Sequence, residues 1–370
     1  MARLFGRRLD KSGDGSGETN MRNVSQILVI RLRELGDTLQ TTPVLRQLRR
    51  LHPQAAIDVL CQQSSKAVLE HNRNIDSMFV LPPRASVATF LSIAAGLRRR
   101  DYDLIVDVQS LPKTAIMARL IGGRQRLGYR KRGIRNRLCY TQPHRQAYLE
   151  YAALQHLRLL QDDRVDYNDL ELDFEVSPET LKSAEQFVHR HLRPPFAAIF
   201  GISRFSHRTW PVDKTAAIAD RLAAAGVQPW LVYGPGQEDA AFRIAEHMRQ
   251  PAVLNYPMPD FATLRAILGR AELFFGNDGG PKHAAVAAGI ATVTVCSAVH
   301  GTAWAVPNDL RHRVVATRAY PGVARLAGTF TDADTLAEIP VSAAWQEVKV
   351  ALQQTAAVGR RTEAAVRRAA

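Results

Sequence analysis

Several features that would classify the chain are missing from it. No apolar run approaches the ~18–20 residues needed to cross a bilayer, and no internal repeat is present. The first twenty residues are basic and then rich in glycine and serine, without the apolar stretch of a secretory signal. The three cysteines, Cys61, Cys139 and Cys296, show no metal-ligand spacing. These absences exclude a transmembrane protein and predict a cytoplasmic chain with reduced core thiols.

Nucleotide and metal motifs are missing as well. The chain has no GxxxxGKS/T sequence, and the turn after the first predicted strand, RLRELGD, lacks GxGxxG. No HxxxH, HExxH or DxD sequence stands where a metal would be expected. The sequence excludes a P-loop ATPase and predicts no cofactor. A bound nucleotide would be held by backbone amides and arginine, without an obligatory divalent ion.

Acidic residues are in the minority, 35 against 49 lysines and arginines, which gives a net charge of +14. The basic clusters, among them Leu97–Arg100 and Tyr129–Arg137, lie in the N-terminal half. Nucleic acid, anionic lipid headgroups and acidic glycolipids all fit such a surface, although each cluster alone also fits a solvated helix end. Nucleic acid fits least, because the chain has no helix-turn-helix, zinc-finger or RNP pattern and its arginines lack interleaved aromatics.

Short apolar runs alternate with helical patterns from Gln26 onwards. The predicted strands cover residues 26–30, 57–61, 78–81, 104–108 and 125–129, and then 196–201, 228–234, 252–255, 273–277 and 291–296. Such short strands with little polar alternation are typical of parallel sheets covered on both faces. The sequence predicts two doubly wound α/β domains that face each other across a cleft. The predicted divisions are a basic flexible N-terminal extension at 1–23, a first domain at 24–165, a second domain at 166–340, and a C-terminal helix with a frayed basic tail at 341–370.

One loop of the predicted second domain suits a phosphate. In FFGNDGGPKHAAVAAG, residues 274–289, a strand ends at Asn277–Asp278, and two glycines and a proline lead into a helix. The free N–H groups and the positive dipole end of that helix favour an anion, and His283 could add a donor. By itself the motif also fits a capped tight turn.

Two further loops of this domain strengthen the case. Residues 200–211 carry Arg204, His207 and Arg208, and a guanidinium there could clamp a phosphate. In YGPGQED, Glu238 could accept hydrogen bonds from a ribose diol, or it could be a carboxylate in the first turn of a helix. Together the three loops predict a nucleotide site.

Two segments far apart in the chain resemble glycosyltransferase family 9, the ADP-heptose:lipopolysaccharide heptosyltransferases. They are ILVIRLRELGDTLQTTPVLRQLRRLHPQAAIDVL, from Ile27, and FFGNDGGPKHAAVAAGIATVTV, from Phe274. YDLIVDVQSLPKTA, HRTWP and LVYGPGQE agree too, so the resemblance covers about residues 24–350 and looks most like the heptosyltransferase III branch. It implies a GT-B fold. It also implies inverting, metal-independent transfer of heptose from ADP-L-glycero-D-manno-heptose to the inner core of lipopolysaccharide.

The resemblance also implies roles for individual residues. Asp37 matches the aspartate taken as general base, and Arg208 the basic residue facing the diphosphate, so both are catalytic candidates. The donor-binding candidates are Ser203, Arg204, Arg208, Glu238, Met258, Asp278, Gly279, Gly280 and His283. The acceptor-binding candidates are Gln40, where the family often has histidine, and the basic residues Lys113, Arg130, Lys131 and Arg132. From local sequence alone, Asp37 also fits the N-cap of a helix that starts near Thr38.

The partners implied are a nucleotide-sugar donor, a lipopolysaccharide inner-core acceptor and the anionic inner face of the inner membrane, where the protein would be peripheral. Nucleic acid is not among them. The alternative is a family 9 transferase with another acceptor, such as a protein or a surface polysaccharide, or with another nucleotide sugar. A nucleic-acid-binding protein is a distant alternative.

Overall fold

The structure, a computed structural model, describes residues 24–130, 138–147, 150–203, 208–254, 260–297, 301, 303–316 and 336–369. For residues 357–369 the description is limited to the backbone. Within these residues, strands and helices alternate and form two separate sheets in which all paired strands run parallel.

The first sheet has the strand order β3-β2-β1-β4-β5-β6. Its strands are β1 (Gln26–Ile30), β2 (Ala56–Cys61), β3 (Ser77–Val80), β4 (Leu104–Asp107), β5 (Gln125–Arg130) and β6 (Gln142–Arg145). The helices of this half are α1 (Leu35–Leu39), α2 (Thr42–Leu51), α3 (Gln63–Leu69), α4 (Val87–Arg98), α5 (Pro112–Ile121) and α6 (Ala152–Arg158).

The second sheet has the strand order β11-β10-β9-β7-β8. Its strands are β7 (Phe196–Phe200), β8 (Gln228–Leu231), β9 (Leu273–Asn277), β10 (Ala291–Cys296) and β11 (His312–Ala316). The helices of this half are α7 (Pro178–His191), α8 (Val212–Ala224), α9 (Glu238–Glu246), α10 (Phe261–Leu268), α11 (Gly280–Ala287) and α12 (Val341–Ala369).

The order of the strands determines where a ligand can bind. β1 lies between β2 and β4, and β7 lies between β8 and β9, so the strand order reverses next to both. Crevices at such reversals, outside the carboxyl ends of the strands, are the usual ligand sites of open parallel sheets. The loops after β1, β7 and β9 therefore lie where a ligand is expected to bind.

The two halves contact each other directly through α1 and α11. A Cβ added to Gly36 of α1 would lie 2.7 Å from Cδ2 of His283 in α11. This approach requires glycine, because real Cβ atoms essentially never come within 3.0 Å of another heavy atom. The segment between α6 and α7, which connects the two halves, is also fixed: Arg46 of α2 donates from Nε to Asp169 at 2.8 Å and pairs with Asp173 at 2.6 Å.

The structure differs from the predicted elements at five places. The strand predicted at 228–234 ends at Leu231. The polar sequence QPHR forms the edge strand β6, and the edge strand β11 was also not predicted. The predicted strand at 252–255 is wrong for residues 252–254, where Val253 forms only a single bridge to Trp230 at the margin of the sheet. The C-terminal helix α12 extends through the basic tail to Ala369, since its Ala, Arg and Glu residues favour helix; fraying of this end stays a prediction.

Two expectations from the absences can be compared with the structure. Among the described residues, no helix combines the length and the apolar character needed to span a membrane. All three cysteines are free thiols, with Cys61 and Cys296 buried and Cys139 half-buried. Burial raises the pKa of the Cys61 thiol to about 11 and that of Cys296 to about 12, so both stay protonated and inert.

Candidate active site

A cavity of about 430 Å³ lies between the two sheets. The first domain contributes the start of α1, and the second contributes the loops after β7, β8 and β9 and a residue beyond β10. Its lining residues are Glu34, Leu35, Gly36, Asp37, Phe200, Ser203, Arg208, Gln237, Asp278, Gly279, Gly280, Pro281, His283 and Trp304. We call it the cleft cavity.

A second cavity, of about 460 Å³, adjoins the first and is formed mostly by the first domain. Its lining residues are Arg31, Arg33, Glu34, Asp37, Val108, Gln109, Leu111, Gln146, Ala152, Gln155, His156, Ala303 and Trp304. We call it the N-terminal cavity. Glu34, Asp37 and Trp304 line both cavities, so Asp37 lies at their boundary.

Asp37 is not the N-cap that local sequence suggested. Glu34 has an extended backbone with φ −91° and ψ 171°, so α1 begins at Leu35 and Asp37 lies inside its first turn. The Asp37 carboxylate forms an ion pair with Arg31, whose side chain is 8% exposed, while that of Asp37 is 30% exposed. The carboxylate is therefore held in place and remains accessible from the cavities. Glu34, the other carboxylate at the boundary, is exposed.

The surroundings of Asp37 change its basicity. Burial raises the pKa of its carboxyl above the ordinary value, and the nearby charges of Glu34 and Asp278 act in the same direction. The guanidinium of Arg31 opposes this shift in part. A carboxylate with a raised pKa accepts a proton more readily, which suits a general base.

The loop after β9 presents a positive end to the cleft cavity. α11 begins at Gly280 with Pro281 in its first turn, so its N-terminal end and positive dipole border the cavity. Lys282 is 3% exposed, and its ammonium group donates to the carbonyl of Trp304 and lies 3.1 Å from Oδ1 of Asp278. Because Lys282 is paired and does not line the cavity, the N-terminal end of α11 is the feature of this loop that can hold an anion such as a diphosphate.

His283 lies at the inner wall of the cleft cavity and is 4% exposed. Its Nδ1 is 2.9 Å from Nε2 of Gln40, which comes from the first domain. Burial, together with the charge of Lys282, lowers the pKa of His283 to about 3. The imidazole is thus neutral and has a single ring proton to donate.

The structure brings together most of the described donor-side candidates. Those that line the cleft cavity are Ser203, Arg208, Asp278, Gly279, Gly280 and His283. Glu238 is half-buried at the first position of α9, and its neighbour Gln237 lines the cavity in its place. Arg204 and Met258 lie outside the described residues.

The acceptor-side candidates are less well supported. Gln40 is fully buried and bound to His283, so the expected acceptor contact does not fit its position. Lys113 donates to the carbonyl of Pro83 at 3.4 Å, and Arg130 is exposed at the end of β5; neither lines the N-terminal cavity. Lys131 and Arg132 lie outside the described residues.

Sequence reasoning missed several residues of the site, among them Arg31, Glu34, Lys282 and Trp304. Arg31 and Glu34 stand next to Asp37 in RLRELGD, so their proximity was a usable signal. Lys282 lies within the glycine motif, but its burial against Asp278 depends on the fold. Trp304 follows a strand by eight residues and carries no local signal, although it lines both cavities and its ring packs edge-on to His283 at 5.7 Å.

The comparison with known families agrees with this geometry. The model of glycosyltransferase family 9 (heptosyltransferase) matches residues 90–321, more than half of the chain. The chain belongs to glycosyltransferase family 9. The resemblance seen in the sequence is therefore confirmed, and the protein is a glycosyltransferase.

Individual relatives are distant in sequence but similar in fold. The lipopolysaccharide heptosyltransferase 3 of Escherichia coli is 26% identical over 295 residues, which cover 74% of this chain and 84% of that protein. A family 9 glycosyl transferase from Veillonella parvula superposes with a TM-score of 0.76 at 21% identity, covering 89% of this chain and 98% of that one. The E. coli heptosyltransferase WaaC, solved with ADP, gives 0.64 at 19% identity, covering 90% and 99%. These likenesses confirm the GT-B fold.

Proposed function

We propose that this family 9 enzyme transfers heptose from ADP-L-glycero-D-manno-heptose to the inner core of lipopolysaccharide, with inversion and without a metal ion. The observation that carries the proposal is the position of Asp37 at the boundary of the cleft cavity and the N-terminal cavity. A base at this boundary can take the proton from an acceptor hydroxyl in the N-terminal cavity while a sugar nucleotide occupies the cleft cavity.

The donor is proposed for the cleft cavity. Its diphosphate would lie between Arg208 and the N-terminal end of α11, with Ser203 and His283 as further donors. Glu238, at the start of α9, would bind the ribose, while Arg204 and Met258 stay predictions. The E. coli heptosyltransferase with a similar fold, solved with ADP, supports this choice of nucleotide.

The acceptor is proposed for the N-terminal cavity. Its lining combines Arg31 and Arg33 with planar polar side chains such as Gln109 and Gln146. Arginine and amide groups suit hydroxyls and acidic substituents of a sugar chain. The names of the curated relatives support a lipopolysaccharide acceptor.

The proposed reaction is a single displacement. The acceptor hydroxyl gives its proton to Asp37 while its oxygen forms a bond to C1 of the heptose. The bond between C1 and the oxygen of the β-phosphate breaks on the opposite face, so the configuration at C1 inverts. Arg208 and the positive N-terminal end of α11 stabilise the negative charge of the departing ADP. Because these groups already neutralise that charge, a divalent ion is not required to stabilise the leaving group.

We further propose peripheral association with the anionic inner face of the inner membrane, since the acceptor is lipid-linked. Part of the basic cluster at residues 97–100 is used internally: Arg100 lies 3.1 Å from Asp58 and stacks over Phe79. The remaining clusters would act through long-range charge, so binding to anionic vesicles should weaken as salt rises. Salt-independent binding would contradict this part of the proposal.

The test is a transfer assay with purified truncated lipopolysaccharides and a set of nucleotide sugars, read by the mass of the product. One added heptose from ADP-heptose, in the presence of EDTA, is the expected result. Transfer only to a protein or a surface polysaccharide, or only from another nucleotide sugar, would replace the substrates proposed above. Loss of activity in EDTA and its return with a divalent ion would contradict metal independence.

A further inference from the structure

Gln40, the C-cap residue directly after α1, connects the first domain to the donor loop of the second. Its side chain is fully buried, and its Nε2 lies 2.9 Å from Nδ1 of His283 in the first turn of α11. Losing one partner of a buried hydrogen bond leaves the other without compensation, which makes this contact between domains energetically significant.

The neighbours of the imidazole determine which nitrogen carries its proton. Nζ of Lys282 lies 3.5 Å from Nδ1 of His283, and an ammonium group can only donate. Nδ1 is therefore an acceptor, for Lys282 and for the amide of Gln40 alike, and the proton lies on Nε2. That nitrogen lies 3.8 Å from Oδ1 of Asp278, where the negative charge favours an N–H. The distance exceeds that of a hydrogen bond, so this contact does not occupy the N–H and it can donate to a ligand.

The ring is also fixed on its other sides. Its Cδ2 edge packs against Gly36, where an added Cβ would approach to 2.7 Å. Its plane lies at 65° to the Trp304 ring, with 5.7 Å between the centroids. A half-turn of the imidazole ring would exchange Nδ1 with Cδ2. It would break the contact with Gln40 and place a carbon atom against Nζ of Lys282.

We propose that Gln40 is a positioning residue that holds His283 as the Nε2–H tautomer, so that this N–H serves as a donor to the diphosphate of the nucleotide sugar. The inference rests on the proposed function, because it requires the nucleotide to bind in the cleft cavity. It assigns Gln40 to donor recognition from across the domain boundary, in place of the acceptor contact that the sequence suggested.

The first test is spectroscopic and needs no change at Gln40. In protein labelled with 15N-histidine, long-range 1H–15N spectra distinguish protonated from unprotonated ring nitrogens, and His283→Gln identifies the His283 signals among the eleven histidines. The expected result is an unprotonated Nδ1 and a protonated Nε2. A proton on Nδ1 in the wild-type protein would overturn the proposal.

The second test changes the partner. Gln40→Met keeps the volume but cannot donate, and Gln40→Glu offers an acceptor that draws the proton to Nδ1. Gln40→Glu should move the proton to Nδ1, while Gln40→Met leaves Lys282 as a donor to Nδ1 and should loosen the ring without moving the proton. Both should weaken ADP binding about tenfold, the effect of one hydrogen bond to a charged group. In the His283→Gln background, Gln40→Met should cause no further loss, because the two residues act as a unit.

Two results separate the inference from the proposed function. Unchanged ADP affinity in a folded Gln40 variant with an altered tautomer would overturn the inference alone. Failure of the wild-type protein to bind ADP would overturn the proposed function and the inference with it, and the wild-type titration shows this without any variant.

Discussion

The carboxylate of Asp37 is paired with the buried guanidinium of Arg31 at the point where the two cavities meet. The pair fixes the direction of the carboxylate and also limits its pKa. Burial raises that pKa and the charge of Arg31 lowers it, with burial the larger effect.

Arg31→Met should therefore shift the pH dependence of transfer. Because only the ionised carboxylate accepts a proton, activity falls as the pH drops through the pKa of Asp37. Without Arg31 that pKa rises further, so the acid limb of kcat/KM should move to higher pH. Arg33→Met is the matched control, since Arg33 lines the same cavity without an ion pair to Asp37 among the described contacts; an equal shift there would contradict this account.

Gly36→Ala should disturb the contact between the domains. The new Cβ would lie 2.7 Å from His283, and overpacking of this kind costs about 1–3 kcal/mol in the free energy of unfolding. ADP affinity should fall with it, as measured by calorimetry. Gly96→Ala in α4 has nothing within 4 Å of its new Cβ and should be neutral or stabilise by up to ~1 kcal/mol.

Much of this arrangement could be predicted from the sequence. The apolar runs that became β1, β9 and β10 were located to the residue, because strands buried on both faces leave a continuous hydrophobic signal. The carboxyl ends of parallel strands lie at one edge of each sheet. Because the two sheets were predicted to face each other, Asp37, Arg208 and the loop after β9 could be expected to border one cleft.

The remainder depends on contacts between distant segments. The short edge strand β6 is mostly polar, so it gives little hydrophobic signal. The pairing of Gln40 with His283 arises only when α1 packs on α11, and Lys282 is buried against Trp304, twenty-two positions along the chain; no local pattern encodes either contact.

Arg46→Met should loosen the segment that connects the domains. It removes the arginine from Asp173 and leaves Asp169 only the amide of Gln47, at a site where the arginine is 25% exposed. We expect a loss of about 1–3 kcal/mol in the free energy of unfolding. Urea unfolding measures this. Arg73→Met removes the pair with Glu175 from a side chain that is 80% exposed, so it should leave the urea midpoint unchanged. Equal losses of stability in both variants would contradict a stabilising role specific to Arg46.

Glu238→Gln separates the two interpretations of this carboxylate. If Glu238 binds the ribose, ADP affinity should fall about tenfold while affinity for inorganic pyrophosphate stays the same. If it only stabilises the first turn of α9, both affinities should be unchanged and helix stability alone should drop. Competition titrations with the two ligands decide between these outcomes.

The most direct test of the account is the single-turnover rate of heptose transfer by Asp37→Asn. The amide keeps the shape of the side chain but cannot accept the proton, so transfer should fall about 100- to 10,000-fold while ADP-heptose still binds. Glu34→Gln, which changes the other carboxylate that borders both cavities, should keep most of the rate. Wild-type turnover in Asp37→Asn, or its loss in Glu34→Gln alone, would contradict the role of Asp37 as the base.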